Sequence, residues 1–322
     1  MGDVVTDSNI LELHQIVDES LDIPSAVNET EDTQPSQQKE AQIWTYFGVV
    51  GGAGVTSLAV QAAWELSSQD INGPGKTLGL KAVLVDLDFE RGDCAAYLDI
   101  KPSMSIDDLN AAEGRMDAGL AASFISQVSP GLYLISAKSE LGGNDLVSPG
   151  ALLSLLDTIS GLFDIVILDV PPMWRPWTQA VIGAADKFAL VTECRIPALH
   201  QAKKLSVDIM QAMQLSCAPE VILNKFERRS LRGGLSLADA QKVLGDLQCS
   251  QICVDDETVR IAINTGKPAG ALRFKSRYVK SVRSHVQNWY SANINLETNL
   301  GENSGTNSKI ASHQYDRRVA RR

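Results

Sequence analysis

Short apolar runs and amphipathic stretches take turns along the middle of this chain. "QIWTYFGVV" (42–50), "LKAVLVDLD" (80–88), "GLYLISA" (131–137), "FDIVILDVP" (163–171), "KFALVTE" (187–193), "EVILNKF" (220–226) and "SQICVD" (250–255) have the length and side-chain character of strands. Between them the apolar positions recur at helical spacing. "VTSLAVQAAWELSSQ" (55–69) puts Leu58, Ala62 and Leu66 on one stripe. "SIDDLNAAEG" starts a helix with Ser105 as cap and Asp108 at the capping-box position. "SPGALLSLLDTISGL" is a helix entered at Ser148-Pro149, and "TVRIAINTG" (258–266) is helical. The 163–171 run is so apolar that both its faces must be covered. Apolar strands alternating with helices predict an α/β fold: a mostly parallel central sheet with helices on both faces. Ligands in such sheets bind at the carboxyl ends of the strands.

The pattern fades at both ends. Residues 1–40 hold ten Asp/Glu and one Lys, a composition unable to bury enough surface to order itself. Within them, "NILELHQIVDESL" (9–21) reads as a transient helix. Residues 292–322 read as a second disordered tail, with a basic end. The expected organisation is therefore an acidic segment (1–40), one domain (41–291) and a tail (292–322). Just before the tail, "LRFKSRYVKSVRSHVQNWYSANI" (272–294) is basic and spaces Tyr278, Val282, Val286 and Trp289 helically. A final core helix is the favoured reading, and a membrane-surface helix the alternative.

Composition narrows the function. The 322 residues carry a net charge of −10, which argues against nucleic acid as a partner because the overall field repels phosphates. The five cysteines are scattered without metal-ligand spacing, which predicts reduced thiols, mostly buried, in a cytoplasmic protein. No stretch is long and apolar enough to span a membrane, and the acidic start lacks the basic region of a signal peptide.

The chemistry concentrates at "VVGGAGVTS" (49–57). Gly51, Gly52 and Gly54 lie at a strand-to-helix junction, where glycine permits positive φ and close approach of main-chain amides to a ligand. The helix that follows turns its positive dipole end to the same spot, which favours an anion. Thr56 occupies the hydroxyl position that meets Mg²⁺ in phosphate loops. The lysine that such a loop carries before its Thr is replaced by Val55. Two further strands end in carboxylates, Asp86 and Asp88 on one and Asp169 on the other, and in a parallel sheet both ends face the glycine loop. A phosphate site needs carboxylates there, for the Mg²⁺ shell and for orienting water. "NGPGKT" (72–77) is a decoy. The first glycine of its would-be loop falls on Asp70, and it follows a helix instead of a strand.

Taken together, the loop, "VLVDLDFERGD", "VILDVPPMWRPWT", "ADKFALVTE", "VILNKFE" and "VDDETVRIAINTGKP" resemble the ParA/MinD group of deviant Walker ATPases over about residues 41–275. The closest likeness is to the CpaE/TadZ branch, which serves assembly and polar placement of Flp/Tad pili. The resemblance implies a P-loop NTPase three-layer sandwich that binds ATP and Mg²⁺. It places the nucleotide on Gly51, Gly52, Ala53, Gly54, Val55, Thr56 and Ser57, with Asn224 reading the adenine edge and Asp255 near the base. It gives Thr56 and Asp169 to Mg²⁺ and Asp88 to the attacking water, with Asp86 as its partner. The family pattern K-G-G-x-G-K-[ST] has lysine at the positions of Val50 and Val55. Losing a catalytic cation costs on the order of 10³–10⁵ in rate, so hydrolysis is expected to be weak or absent; binding suffers less, and ATP is expected to be bound weakly or not at all. Arg91, Arg195 and Lys225 are the candidates for a replacement charge. The implied partners are a second copy of the chain and pilus or secretion machinery; Trp174 and Trp177 belong either to the core or, the favoured reading, to the dimer face. The implied location is the cytoplasm, at the cell pole or against the inner membrane. "ERRSLRGG" (227–234) reads as a solvated basic loop.

Overall fold

A computed structural model describes residues 40–68, 78–227 and 234–302, with side chains described through residue 292. The decoy at 72–77 and most of 227–234 lie outside the described residues, as do residues 1–39 and 303–322.

Eight strands form one sheet: β1 (Gln42–Gly48), β2 (Ala82–Asp86), β3 (Ile125–Ser129), β4 (Leu132–Ile135), β5 (Ile165–Val170), β6 (Lys187–Glu193), β7 (Glu220–Phe226) and β8 (Cys249–Cys253). Their order across the sheet is β3-β4-β2-β5-β1-β6-β7-β8. Every adjacent pair is parallel except β3 and β4, which form an antiparallel edge. Residues 125–129 were not expected to be a strand, because "ISQVS" carries little apolar signal. Tertiary pairing with β4 supplies what the local pattern lacks.

The helices are α1 (Val55–Ser67), α2 (Asp93–Tyr97), α3 (Ile106–Ala111), α4 (Ala118–Ser123), α5 (Gly143–Leu146), α6 (Pro149–Ser160), α7 (Pro176–Ala184), α8 (Ile196–Met213), α9 (Leu237–Leu244), α10 (Asp256–Asn264), α11 (Ala269–Arg273) and α12 (Arg277–Glu302). Both expected helix starts are present. Ser105 and Asp108 exchange bonds in a complete capping box, and Ser148 caps α6 ahead of Pro149.

Two hydrophobic cores lie on the two faces of the sheet. In β1, Ile43 and Phe47 enter one core while Trp44 and Tyr46 enter the other. Helices α6, α7, α8 and α9 cover the first face, and α1, α2 and α12 the second. Leu58 and Leu66 of α1 are fully buried and contribute roughly 1.5–3 kcal/mol each.

The basic helix α12 is part of this core. Tyr278, Val279, Val282, Val286 and Trp289 are buried, and Trp289 stacks on Tyr46 with ring centroids 5.4 Å apart. That apolar stripe therefore packs inside the protein, and the alternative of a membrane-facing surface does not hold for it. The helix runs to Glu302, past the boundary expected at residue 291. Among the described residues no helix is long and apolar enough to cross a membrane.

Two other expectations need correction. Trp177 is buried, edge-on to Phe89, with its indole N–H donated to the Asn144 carbonyl, so it belongs to the core; Trp174 beside it is 40% exposed. Of the five cysteines only Cys94 and Cys253 are buried, and Cys217 is exposed.

Candidate functional site

β1 occupies the middle of the sheet between β5 and β6, and the chain leaves its carboxyl end directly into the glycine loop. Gly52 and Gly54 both sit in the left-handed region, at φ 77° and 80°. Gly54 is also the N-cap of α1 and contributes no side-chain cap. The amides of the first helical turn thus face outward from a capless helix start, where an anion is favoured. The two sides of the loop differ. A Cβ on Gly51 or Gly52 would meet nothing within 4 Å, whereas one on Gly54 would come within 2.7 Å of Asn224 Nδ2. The loop is open to solvent on one side and packed tightly on the other.

Asn224, at the end of β7, makes that packed side. Its Nδ2 donates to the carbonyls of Ala53 and Gly54 at 2.8 and 3.2 Å. The residue expected to read the adenine edge is therefore engaged with the loop backbone, and is only 3% exposed. Ser57 Oγ donates back to Gly54 O at 3.0 Å, and Tyr278 of α12 donates its hydroxyl to Ser57 O. Asp255 caps α10 by accepting from Thr258 N at 3.1 Å; no bond ties it to the loop among the described residues.

The strand-end carboxylates gather as expected. Asp86 and Asp169 are register partners on β2 and β5, and both are buried. The Thr56 hydroxyl lies near enough to the Asp169 carboxylate to favour its charged form, which sets the two expected Mg²⁺ residues close together. Asp86 accepts the amides of Asp88 and Cys94 at 3.0 and 2.9 Å, which fixes the turn after β2. Asp88 lies just beyond that strand. Its Oδ1 accepts the amides of Glu90 and Arg91 and lies 3.5 Å from Asn144 Nδ2.

Burial pushes Asp86 well above the ordinary carboxylate range, with the Asp169 charge adding to it. Burial also raises Asp169, to about 6, against hydrogen bonds from Thr56 and Cys94. Burial explains both directions first, with Asp169 adding to it at Asp86, and Asp88 and Asp93 adding to it at Asp169; a divalent ion reverses that logic. The donor set of two carboxylates and a hydroxyl beside open amides fits Mg²⁺ and a phosphate chain. Val55 is buried and Val50 half-buried against the core, so neither reaches outward as a lysine would.

Two residues at this site have no signal in the sequence. Cys94 is buried with its thiol donating to Asp169 Oδ2 at 3.3 Å, and its Sγ lies within 4.8 Å of both carboxylates. Burial and the two charges push that thiol up, so it stays protonated. Asn144 sits on the single-turn helix α5, receives the Phe89 amide at 3.1 Å and braces Asp88. Among the candidates for a replacement charge, Lys225 reaches the loop: its Nζ donates to Gly52 O at 2.5 Å. Arg195 pairs with Glu193 and is largely exposed, and Arg91 is exposed.

No protein-family model matches the chain. Over 264 residues it is 22% identical to the septum site-determining protein MinD of Bacillus subtilis, which covers 81% of this chain and 94% of that relative. A ParA family ATPase from Chlorobium tepidum superposes with a TM-score of 0.65 at 20% identity, covering 76% of this chain and 98% of the other. MinD from Pyrococcus horikoshii, complexed with Mg-ADP, gives 0.63 at 19% identity, covering 77% and 95%. With its glycine loop at the centre of a mostly parallel sheet and aspartates on the flanking strand ends, this chain has the fold of the MinD/ParA P-loop NTPases.

Proposed function

We propose that this chain is a nucleotide-responsive positioning protein of the ParA/MinD type. It binds ATP with Mg²⁺ through the amides of residues 51–57, and hydrolyses it weakly or not at all. Bound Mg²⁺ supplies charge neutralisation at the phosphates. Thr56 and Asp169 hold it, Asp86 keeps the turn carrying Asp88 in place, and Asp88 orients water. The carrying observation is the pair of buried, register-matched carboxylates Asp86 and Asp169 at the strand ends beside an open glycine loop whose two lysine positions hold Val50 and Val55. Main-chain amides and a helix end bind charge without lysines, but the loop itself no longer carries the cation that phosphoryl transfer calls on. On this reading the protein acts as a dimeric scaffold in the cytoplasm. The CpaE/TadZ-like motifs point its service towards Flp/Tad pilus assembly or polar placement.

Calorimetry of the full chain with Mg-ATP tests the binding. Binding is expected, and Thr56→Ala and Asp169→Ala should each weaken it at least tenfold. Equal affinity in both variants would put the nucleotide elsewhere. An active ATPase of the MinD/ParA kind is the second reading. The complete set of Asp86, Asp88 and Asp169, with Lys225 on the loop, favours it. Turnover abolished by Asp88→Ala would select that reading over the scaffold.

A further inference from the structure

Any triphosphate at this loop meets Asp86, Asp88 and Asp169 with neither family lysine to offset them. Lys225 alone among the described basic side chains is bonded to the loop. We propose that Lys225 is the phosphate-loop cation of this protein, delivered from the end of β7 in place of the two lysines the loop has lost. This rests on the nucleotide-binding reading above and deepens it.

The geometry is built by neighbouring residues. Lys225 has φ 53°, a left-handed conformation that side-chain-bearing residues avoid unless their surroundings impose it. Asn224 imposes it: its Oδ1 accepts the Lys225 amide at 2.9 Å while its Nδ2 grips the loop carbonyls. The Lys225 stem then lies along the loop, with Cε 3.5 Å from where a Gly54 Cβ would be, and the ammonium ends on Gly52 O. Without a Cβ at Gly54, the stem lies directly against backbone. The ammonium is also held at 3.1 Å by Glu193, on the end of β6.

Glu193 has a second cation, Arg195, whose Nε lies 3.1 Å from its other oxygen. When phosphate draws the Lys225 ammonium away, Glu193 keeps Arg195 and is not left unpaired. The lysine is thus parked on a carbonyl and a shared carboxylate, and released at little cost. An ammonium is a mobile point charge with three donors, suited to such an exchange of partners.

The test is calorimetry of the full chain with AMP, ADP and ATP, each with Mg²⁺, for wild type, Lys225→Met and Lys225→Arg. Loss of a charged hydrogen bond predicts a fall in ATP affinity of about 10- to 100-fold in the methionine variant. AMP should lose less than ATP, and arginine should restore most of the ATP affinity. Matching thermal melts exclude a folding defect, and the arginine variant carries the test if methionine does not fold. Unchanged ATP binding in Lys225→Met, or an equal loss for AMP and ATP, overturns the proposal while leaving nucleotide binding intact. Absence of ATP binding in the wild type overturns both.

Discussion

Replacing Arg283 with methionine strips the cation from a carboxylate that water barely reaches. Glu65, on the phosphate-loop helix α1, is 3% exposed. Arg283 Nε donates to its Oε2 at 2.6 Å and Nη2 to its Oε1 at 3.3 Å, while Gln61 Nε2 donates at 2.7 Å. This pair fastens α12 onto α1. Burial raises the Glu65 carboxyl, and Arg283 opposes that push. In the methionine variant only Gln61 opposes it, so Glu65 takes up a proton. Neutralising a glutamate of ordinary value about 4.3 at pH 7 costs at most about 3.7 kcal/mol. Breaking a buried pair from one side costs about 3–5 kcal/mol, so the two routes agree. A group whose folded value lies above its unfolded value loses stability as pH rises from the unfolded value to the folded one. The defect should therefore shrink to about 1 kcal/mol or less at pH 5, since burial already raises Glu65 in the wild type. Urea unfolding of the full chain at pH 5, 6 and 7, followed by circular dichroism, reads this directly. Adding Glu65→Leu to Arg283→Met should recover more than half of the loss at pH 7, because the uncompensated carboxylate is gone. A defect of equal size at pH 5 and pH 7 would refute the reasoning, as would one below about 0.5 kcal/mol at pH 7.

The glycine loop and the aromatic cluster give two more expectations. Gly54→Ala forces a side chain into the left-handed region and against Asn224, and should cost about 1–3 kcal/mol and abolish ATP binding. Gly51→Ala, with open space around its Cβ, should change the melting temperature by little, and equal effects from both would refute the packed underside. His285 lies buried beside Tyr46 and Trp289, and burial lowers it to about 4. Its neutral form is favoured, so the folded protein binds fewer protons than the unfolded one between about pH 4 and 6.5, and stability falls by about 3 kcal/mol as pH drops through that window. Asp169, held at about 6, titrates in the opposite sense there, so the comparison is between wild type and His285→Gln. The variant should show a shallower acid decline of melting temperature, and parallel curves would refute the burial argument.

Much of the fold was legible because its signals are local. Seven of the strands declare themselves as apolar runs, and Ser105–Asp108 and Ser148-Pro149 mark their helix starts by capping chemistry that needs no tertiary partner. Strand β3 was not legible, since "ISQVS" becomes a strand only against β4. The α12 stripe shows the intermediate case. Helical spacing made its apolar face visible, but spacing alone does not distinguish a core from a membrane as the surface it meets. Packing against Trp44, Tyr46 and α1 decided it.

The same division runs through the candidate site. The sequence by itself determined a glycine-rich strand-to-helix turn with Thr56, aspartates ending two other strands, and valines where lysines were expected, since these are properties of residues and their order. Tertiary structure alone decided that Asp86 and Asp169 stand side by side, that Cys94 and Asn144 brace them and Asp88, and that Lys225 reaches Gly52 across 173 positions of chain. The reason is geometric: a parallel sheet aligns strand ends that are far apart in sequence, and no local spacing encodes which side chains then meet.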